Sequence, residues 1–297
     1  MKNATRLVSV WALAIAAAFG STASIARSDV TWSGDLDPAD PTTWTTAGNG
    51  YVGKTEAGSL TIDGGSGVLA YECYMGYDAG VNGDMTVTGA GSALTTSGGI
   101  GVGTFGTGSL NISNGGVVIS PIGAVGLFVD GVGEVTVSGA GSTWAVRHSL
   151  SLSPLGGVGK LHISDGALVL VGDDPATLPA NTTHSLKIYD DGVDGTYITM
   201  STGAMLALYG NANQSLTSFL DLAFGTDDIR YWDESASEWA DITSGTPGVD
   251  YSLSRTTEEN LANYTVLHVP AAEVPEPATM CLAAATLPIL LRRKRKA

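Results

Sequence analysis

Apolar residues recur along this chain every 25 residues, in three separate rows that keep the same period. Leu60, Met85, Leu110 and Val135 form one row, and Ile62, Val87, Ile112 and Val137 follow two positions on. A second row runs Leu69, Leu94, Ile119, Trp144. The third runs Met75, Ile100, Val125, Leu150, with Tyr77, Val102, Leu127 and Leu152 two positions on. A fixed period of this length is the mark of stacked repeats, in which no single unit buries its apolar face alone.

Polar residues fix the kind of stack. Between the first-row pairs stand Thr61, Thr86, Asn111, Thr136, His162 and Thr199, which is period-two alternation and predicts strands with small polar groups facing out. Gly83, Gly108, Gly133, Gly159 and Gly195 recur near the repeat boundary, where positive φ in a tight turn is the expected reason for glycine. Three short strands with glycine corners per repeat predict an all-β fold, a parallel β-helix of about six coils of 25 residues. Right-handed coils are the expectation for parallel crossovers.

The period slips twice. Val135 to Leu161 is 26 residues, so one residue is absorbed in a turn, and Leu161 to Ile198 is 37. The excess places an extra loop at about residues 172–184, within VGDDPATLPANTTHS. Residues 58–224 are thus read as the solenoid. Residues 27–57, with Trp32 and Trp44, are read as an N-terminal cap, and residues 225–270 as a C-terminal cap or β appendage, because an open rung exposes unpaired backbone groups.

Composition agrees with a turn-rich β rod: 40 of 297 residues are glycine, about twice the usual ~7%. The net charge of −15 understates the acidity of the middle, because half of the basic residues lie at the two ends. Residues 27–277 hold 7 Lys and Arg against 29 Asp and Glu, which leaves −22 and disfavours nucleic acid as a partner.

The ends read as addresses. Lys2 and Arg6 precede the apolar run from Leu7 to Phe19, and Ser24-Ile25-Ala26 offers small residues to a signal peptidase, so residues 1–26 are read as a signal peptide cleaved after Ala26. At the other end a short linker, 271–273, leads to Val274-Pro275-Glu276-Pro277, then the apolar segment 278–291, then Arg292-Arg293-Lys294-Arg295-Lys296. Fourteen apolar residues fall short of the roughly 20 of a stable span, so the expected membrane association is transient or confined to the C-terminus.

This tripartite tail, residues 274–297, resembles the PEP-CTERM sorting signal of bacterial exosortase substrates. The repeats resemble those shared by PEP-CTERM proteins and type V autotransporters, in MTVTGAGSAL at 85–94, VTVSGAGSTW at 135–144, LNISNGGVV at 110–118 and LHISDGALVL at 161–170. GAGS coils alternate with NGG or DGA coils, so the repeating unit is a pair of coils. The resemblance implies an exported protein of the cell envelope, cell surface or extracellular matrix of a Gram-negative-type bacterium. It implies signal peptidase and an exosortase-type enzyme as processing partners, and carries no enzymatic activity.

Residues for chemistry are sparse, and no catalytic residue is assigned. Polysaccharide lyases on β-helices need clustered carboxylates and a base on neighbouring rungs; no pair of rungs offers clustered carboxylates at the outward positions of the rows. The weak calcium candidates are Asp190, Asp191 and Asp194, beside the extra loop, with a solvated acidic turn as the competing reading. The four histidines lack metal spacing, and Cys73 reads as a buried core thiol rather than half of a disulfide. The expectation is a non-catalytic structural or adhesive solenoid with extracellular polysaccharide as its candidate partner. The alternative is a carbohydrate-active β-helix enzyme, a lyase or a hydrolase.

Overall fold

The structure, a computed structural model, describes residues 29–172, 185–189, 195–224, 228–255 and 263–271. The described strands form two sheets, and almost all of them belong to one stack of parallel coils.

The first sheet begins with β1 (Val30–Gly34), antiparallel to β4 (Gly58–Ile62). It continues in parallel through β6 (Asn82–Thr88), β8 (Thr107–Ser113), β10 (Val132–Ser138), β12 (Val158–Ser164), β15 (Tyr197–Met200) and β18 (Ile229–Asp233), and closes with the antiparallel β19 (Glu238–Asp241). Its inward positions are the first row, in the expected register: Leu60 faces Met85, then Leu110, Val135, Leu161 and Ile198. Ile229 extends the row into the segment expected to be the appendage. All of these side chains are buried, as alternation in a half-buried strand requires.

The second sheet holds β2 (Leu36–Asp37), β3 (Gly50–Val52), β5 (Gly67–Met75), β7 (Ala93–Val102), β9 (Val117–Val125), β11 (Thr143–Leu152), β13 (Leu168–Val171) and β16 (Met205–Tyr209). At its far end lie β20 (Ser252–Arg255) and β21 (Tyr264–His268); β14 (Ser185–Ile188) and β17 (Ala223–Phe224) join from the side. The expected second and third strands of each coil are one long strand here, nine or ten residues in β5, β7, β9 and β11, bent at a register shift such as the one between Val146 and Ser149.

Two rows differ from the expected ones. The second row is Val68, Leu94, Val118, Trp144, Val169 and Leu206. Leu69 and Ile119, expected in it, point to the other face. Leu69 is 48% exposed, whereas Ile119 packs with Val117 and Ala145 in a small outer cluster. The third is two rows in strict register, Cys73, Ile100, Gly123, Leu150 and Leu186, then Met75, Val102, Val125, Leu152 and Ile188. Tyr77 and Leu127 leave the core for the following corner, where both are half-buried.

The cause is an alternation between two coil types. From the first sheet to the second takes seven residues in the GAGS coils (Val87 to Leu94, Val137 to Trp144) and six in their neighbours (Ile62 to Val68, Ile112 to Val118). The return corner compensates, with eight residues from Val102 to Leu110 and ten from Val125 to Val135.

The recurring glycines also serve a different purpose from the one expected. Gly83, Gly108, Gly133 and Gly159 are strand residues of ordinary φ, and only Gly195 has positive φ. They are glycine because the neighbouring corner passes against them: a β-carbon on Gly133 would lie 2.2 Å from the Val102 carbonyl oxygen and 2.5 Å from the nitrogen of Gly126. The left-handed residue of each return corner is Gly53, Gly76, Gly103, Gly126 or Ser153. Its N–H reaches back one coil, Gly76 to the Val52 carbonyl and Gly126 to that of Val102.

Both ends of the stack are closed. Trp44 is buried in the N-terminal cap, its indole N–H donating to the Pro38 carbonyl at 2.8 Å, and a β-carbon on Gly50 would stand 2.3 Å from its ring. At the C-terminal end β21 pairs antiparallel with β16, and β20 with β21. Residues after Leu208 that match no row fold instead into the helix α1 (Leu216–Leu220), capped by Ser215, which buries Phe219 and Leu220 against the core.

Candidate functional site

Of the residues singled out from sequence, Asp190, Asp191 and Asp194, the sorting motif Val274-Pro275-Glu276-Pro277 and the cleavage position Ala26 lie outside the described residues, as does the extra loop apart from Gly172. Among the described residues no group of three or more His, Cys, Asp or Glu side chains is arranged to hold a metal ion, and no helix is long and apolar enough to cross a membrane.

Stacking in register turns the outward positions of the first sheet into columns. One runs Ser59, Asp84, Ser109, Glu134, Lys160, Tyr197; the next runs Thr61, Thr86, Asn111, Thr136, His162, Thr199, Arg230. The second column carries small hydroxyls and one amide from Thr61 to Thr136, whereas the first sets Asp84 and Glu134 among its serines, with Ser109 Oγ donating to Asp84 Oδ1 along it.

The columns carry ionisable groups together only at their C-terminal end. His162 Nδ1 lies 2.7 Å from Thr199 Oγ1, and its Nε2 lies 3.6 Å from Glu134 Oε1. Lys160 and Arg230 both stand over the Tyr197 ring, at 5.7 and 4.7 Å from its centroid. Burial lowers the pKa of His162, with Glu134 opposing and Lys160 reinforcing the shift. A carboxylate, an imidazole and a hydroxyl in sequence have the outline of a nucleophile relay. Thr199, however, is only 4% exposed, and the β15 backbone around it is taken up by parallel pairing on both sides. A nucleophile needs an approach path and free donors aimed at a developing oxyanion, and this strand supplies neither. Arg230 joins the group only because Ile229 continues the first row, which the 25-residue period does not reveal.

The ends of β3 and β5 and the return corners that follow carry a second constellation, of which the rows contain only Tyr77. Tyr51 and Tyr74 stack with centroids 5.5 Å apart, and Tyr77 meets both edge-on at 5.0 and 5.4 Å. Tyr77 then meets Phe105 edge-on at 6.2 Å, and Phe105 stacks on Phe128 at 4.3 Å with planes 4° apart. Phe128 bridges in parallel to Leu155 on the next coil. Polar groups rim the tyrosine end, where Tyr74 Oη donates to Glu72 at 2.8 Å and the Lys54 ammonium, paired with Asp37, lies 4.5 Å from the Tyr51 centroid. Phe105 and Phe128 escape a 25-residue search because they lie 23 apart and Phe105 lies 28 from Tyr77.

Cys73 is a free thiol buried in the core, as its place in the sequence suggested. Burial pushes its pKa up to about 12, so it stays protonated and inert.

No family model, curated protein or solved structure matches this chain.

Proposed function

We propose that this protein is a non-catalytic structural or adhesive rod, exported after cleavage at Ala26 and delivered to the cell surface or extracellular matrix through the PEP-CTERM-like tail at residues 274–297. The observation that supports this reading is the register of the first sheet, which aligns Thr61, Thr86, Asn111 and Thr136 into an outward column of small polar groups on successive coils. A long repetitive polar surface on a rigid stack is suited to many weak contacts with a polymer or a neighbouring cell. The crowded, buried hydroxyl of Thr199 argues in the same direction and against the carbohydrate-active alternative.

Processing and localisation are tested together by fractionating cells that express the protein or its Pro275→Ala/Pro277→Ala variant. Surface or extracellular recovery of the first, with retention of the second in the membrane fraction, is the expected result. Recovery of both in the cytoplasm would overturn it. Incubation of the purified protein with extracellular polysaccharide, scored for new reducing ends, separates the two functional readings: release of sugar ends would establish the enzyme.

A further inference from the structure

Phe105, Val129, Val132 and Leu155 are exposed large apolar side chains, and all four lie in the return corners of consecutive coils. Leu155, 53% exposed, extends the line of rings past Phe128, and Val129, 65% exposed, follows Phe128 along its corner. Phe105, Phe128 and Leu155 follow one another on successive coils at the strand spacing of about 4.8 Å along the rod axis, with Val129 next to Phe128 on the same corner and Val132 at the start of β10. Phe105 and Phe128 each occupy a face of the other, so the corner offers a continuous ridge of ring edges and aliphatic groups rather than separate open ring faces. Exposed apolar ground of this kind with a polar rim marks a contact surface.

Three features of the corner select its occupant. An added peptide strand needs free backbone groups, but here they are used between coils: Asp78 N–H bonds the Lys54 carbonyl, Leu127 that of Gly103, Phe128 that of Thr104 and Val132 that of Gly106. An anionic polymer or a second copy of this chain meets the −22 of residues 27–277 and the local carboxylates of Glu72, Asp78 and Asp130. An uncharged polysaccharide meets neither obstacle. Its sugar rings bring C–H faces to an apolar ridge, and its hydroxyls match the Tyr74–Glu72 pair at the rim.

We infer that the ridge from Tyr51 and Tyr74, at the ends of β3 and β5, through the return corners to Leu155 is a binding strip for a neutral polysaccharide laid along the rod axis. This assignment rests on the structural or adhesive reading above and gives it a site and a ligand class.

The test is native electrophoresis of the full chain through gels containing hydroxyethyl cellulose, dextran or galactomannan as neutral probes, and alginate as the anionic one. The variants are Phe105→Ala and, to spare the ring stack, Val129→Ser/Leu155→Ser, whose side chains support little of the core; Val249→Ser, 66% exposed near the C-terminal end, is the control. Retardation by at least one neutral polymer and not by alginate is expected, with about tenfold weaker binding in either corner variant and none lost in the control. Retardation that survives both corner variants would overturn the strip while leaving the adhesive reading standing. No retardation by any neutral polymer would overturn the strip together with the polysaccharide arm of that reading. Sedimentation of the wild type as a dimer that Val129→Ser/Leu155→Ser dissociates would also overturn it, by assigning the ridge to a second copy.

Discussion

The indole of Trp144 fills the space that a side chain at Gly123 would need. A β-carbon on Gly123 would stand 2.7 Å from Cζ2 of Trp144 and 2.9 Å from Cδ1 of Leu150, and Trp144 is fully buried with its N–H toward Ser120 Oγ at 3.4 Å. One coil thus supplies a large residue in its second row, and the coil below supplies none in its third. Gly123 has ordinary φ, so replacing it tests packing alone. Gly123→Ala is expected to cost about 1–3 kcal/mol by overpacking, and Trp144→Ala about 3–5 kcal/mol by leaving a cavity. The double variant Gly123→Ala/Trp144→Ala should cost less than the two single changes together, since the added methyl then meets a cavity instead of the indole. Urea unfolding of the four proteins measures this, and strict additivity would show that the two sites do not share the space.

A second prediction separates two demands on glycine at the return corners. Gly126 has φ +66°, and its β-carbon would lie 2.2 Å from the Val158 carbonyl oxygen; Gly80 has φ +76° with nothing within 4 Å. Gly80→Ala meets only the left-handed backbone cost of about 1–2 kcal/mol. Gly126→Ala meets that cost and a collision with the next coil, and is expected to lose upward of about 4 kcal/mol. Thermal unfolding gives the comparison, and equal losses at the two sites would refute the close stacking.

These corners also show what the amino-acid order discloses and what it conceals. The first row was legible because both coil types keep Leu60, Met85, Leu110 and Val135 at one spacing and alternate strictly around it. In the second row the 25-residue spacing falls one residue out at Leu69 and Ile119, since the extra residue of the GAGS corner averages away over a pair of coils, and a slip of one reverses the face. At Met75 and Val125 the slip was two, which keeps the face, so the residues are in the core but beside different neighbours. Periodic glycine was visible, but sequence alone does not distinguish positive φ from a backbone passing overhead. The His162 group was half legible: His162 and Thr199 follow from the 37-residue coil, while Arg230 depends on the path through α1, which has no period to follow.

Cys73 provides a chemical test of the core. Its thiol is fully buried, and burial raises its pKa from the ordinary 9.0 to about 12. The folded state thus holds its proton where the unfolded state releases it, so stability is complete below pH 9 and declines as pH rises from 9 towards 12, by up to about 1.4 kcal/mol per pH unit from this group. Cys73→Ala or Cys73→Val should flatten that decline. In native protein at pH 8 a thiol reagent should leave Cys73 unmodified and label it on unfolding, read by peptide mass analysis. Rapid native labelling of Cys73 would contradict its placement beside Ile100 in the core.

Histidine provides the opposite dependence on the acid side. Burial lowers the pKa of both His162 and His268 below the ordinary 6.5, because each would carry its charge in a poorly hydrated place. The unfolded chain then takes up protons that the folded chain refuses, so the histidine contribution is present above pH 6.5 and is lost as pH falls below it. Acidification also relieves repulsion in a chain this acidic, which acts in the other direction. The informative quantity is therefore the difference between the wild type and His162→Gln/His268→Gln. The wild type should lose more melting temperature than the double variant between pH 7.5 and 5.5. Glu134→Gln removes the one attraction that favours charged His162 and should lower its titration midpoint further, followed by the NMR signal of its ring protons. A midpoint for His162 above 6.5 would mean that Glu134, not burial, governs the imidazole, and that the columns of the first sheet are more open to water at this end than the packing of Thr199, Tyr197 and Arg230 requires.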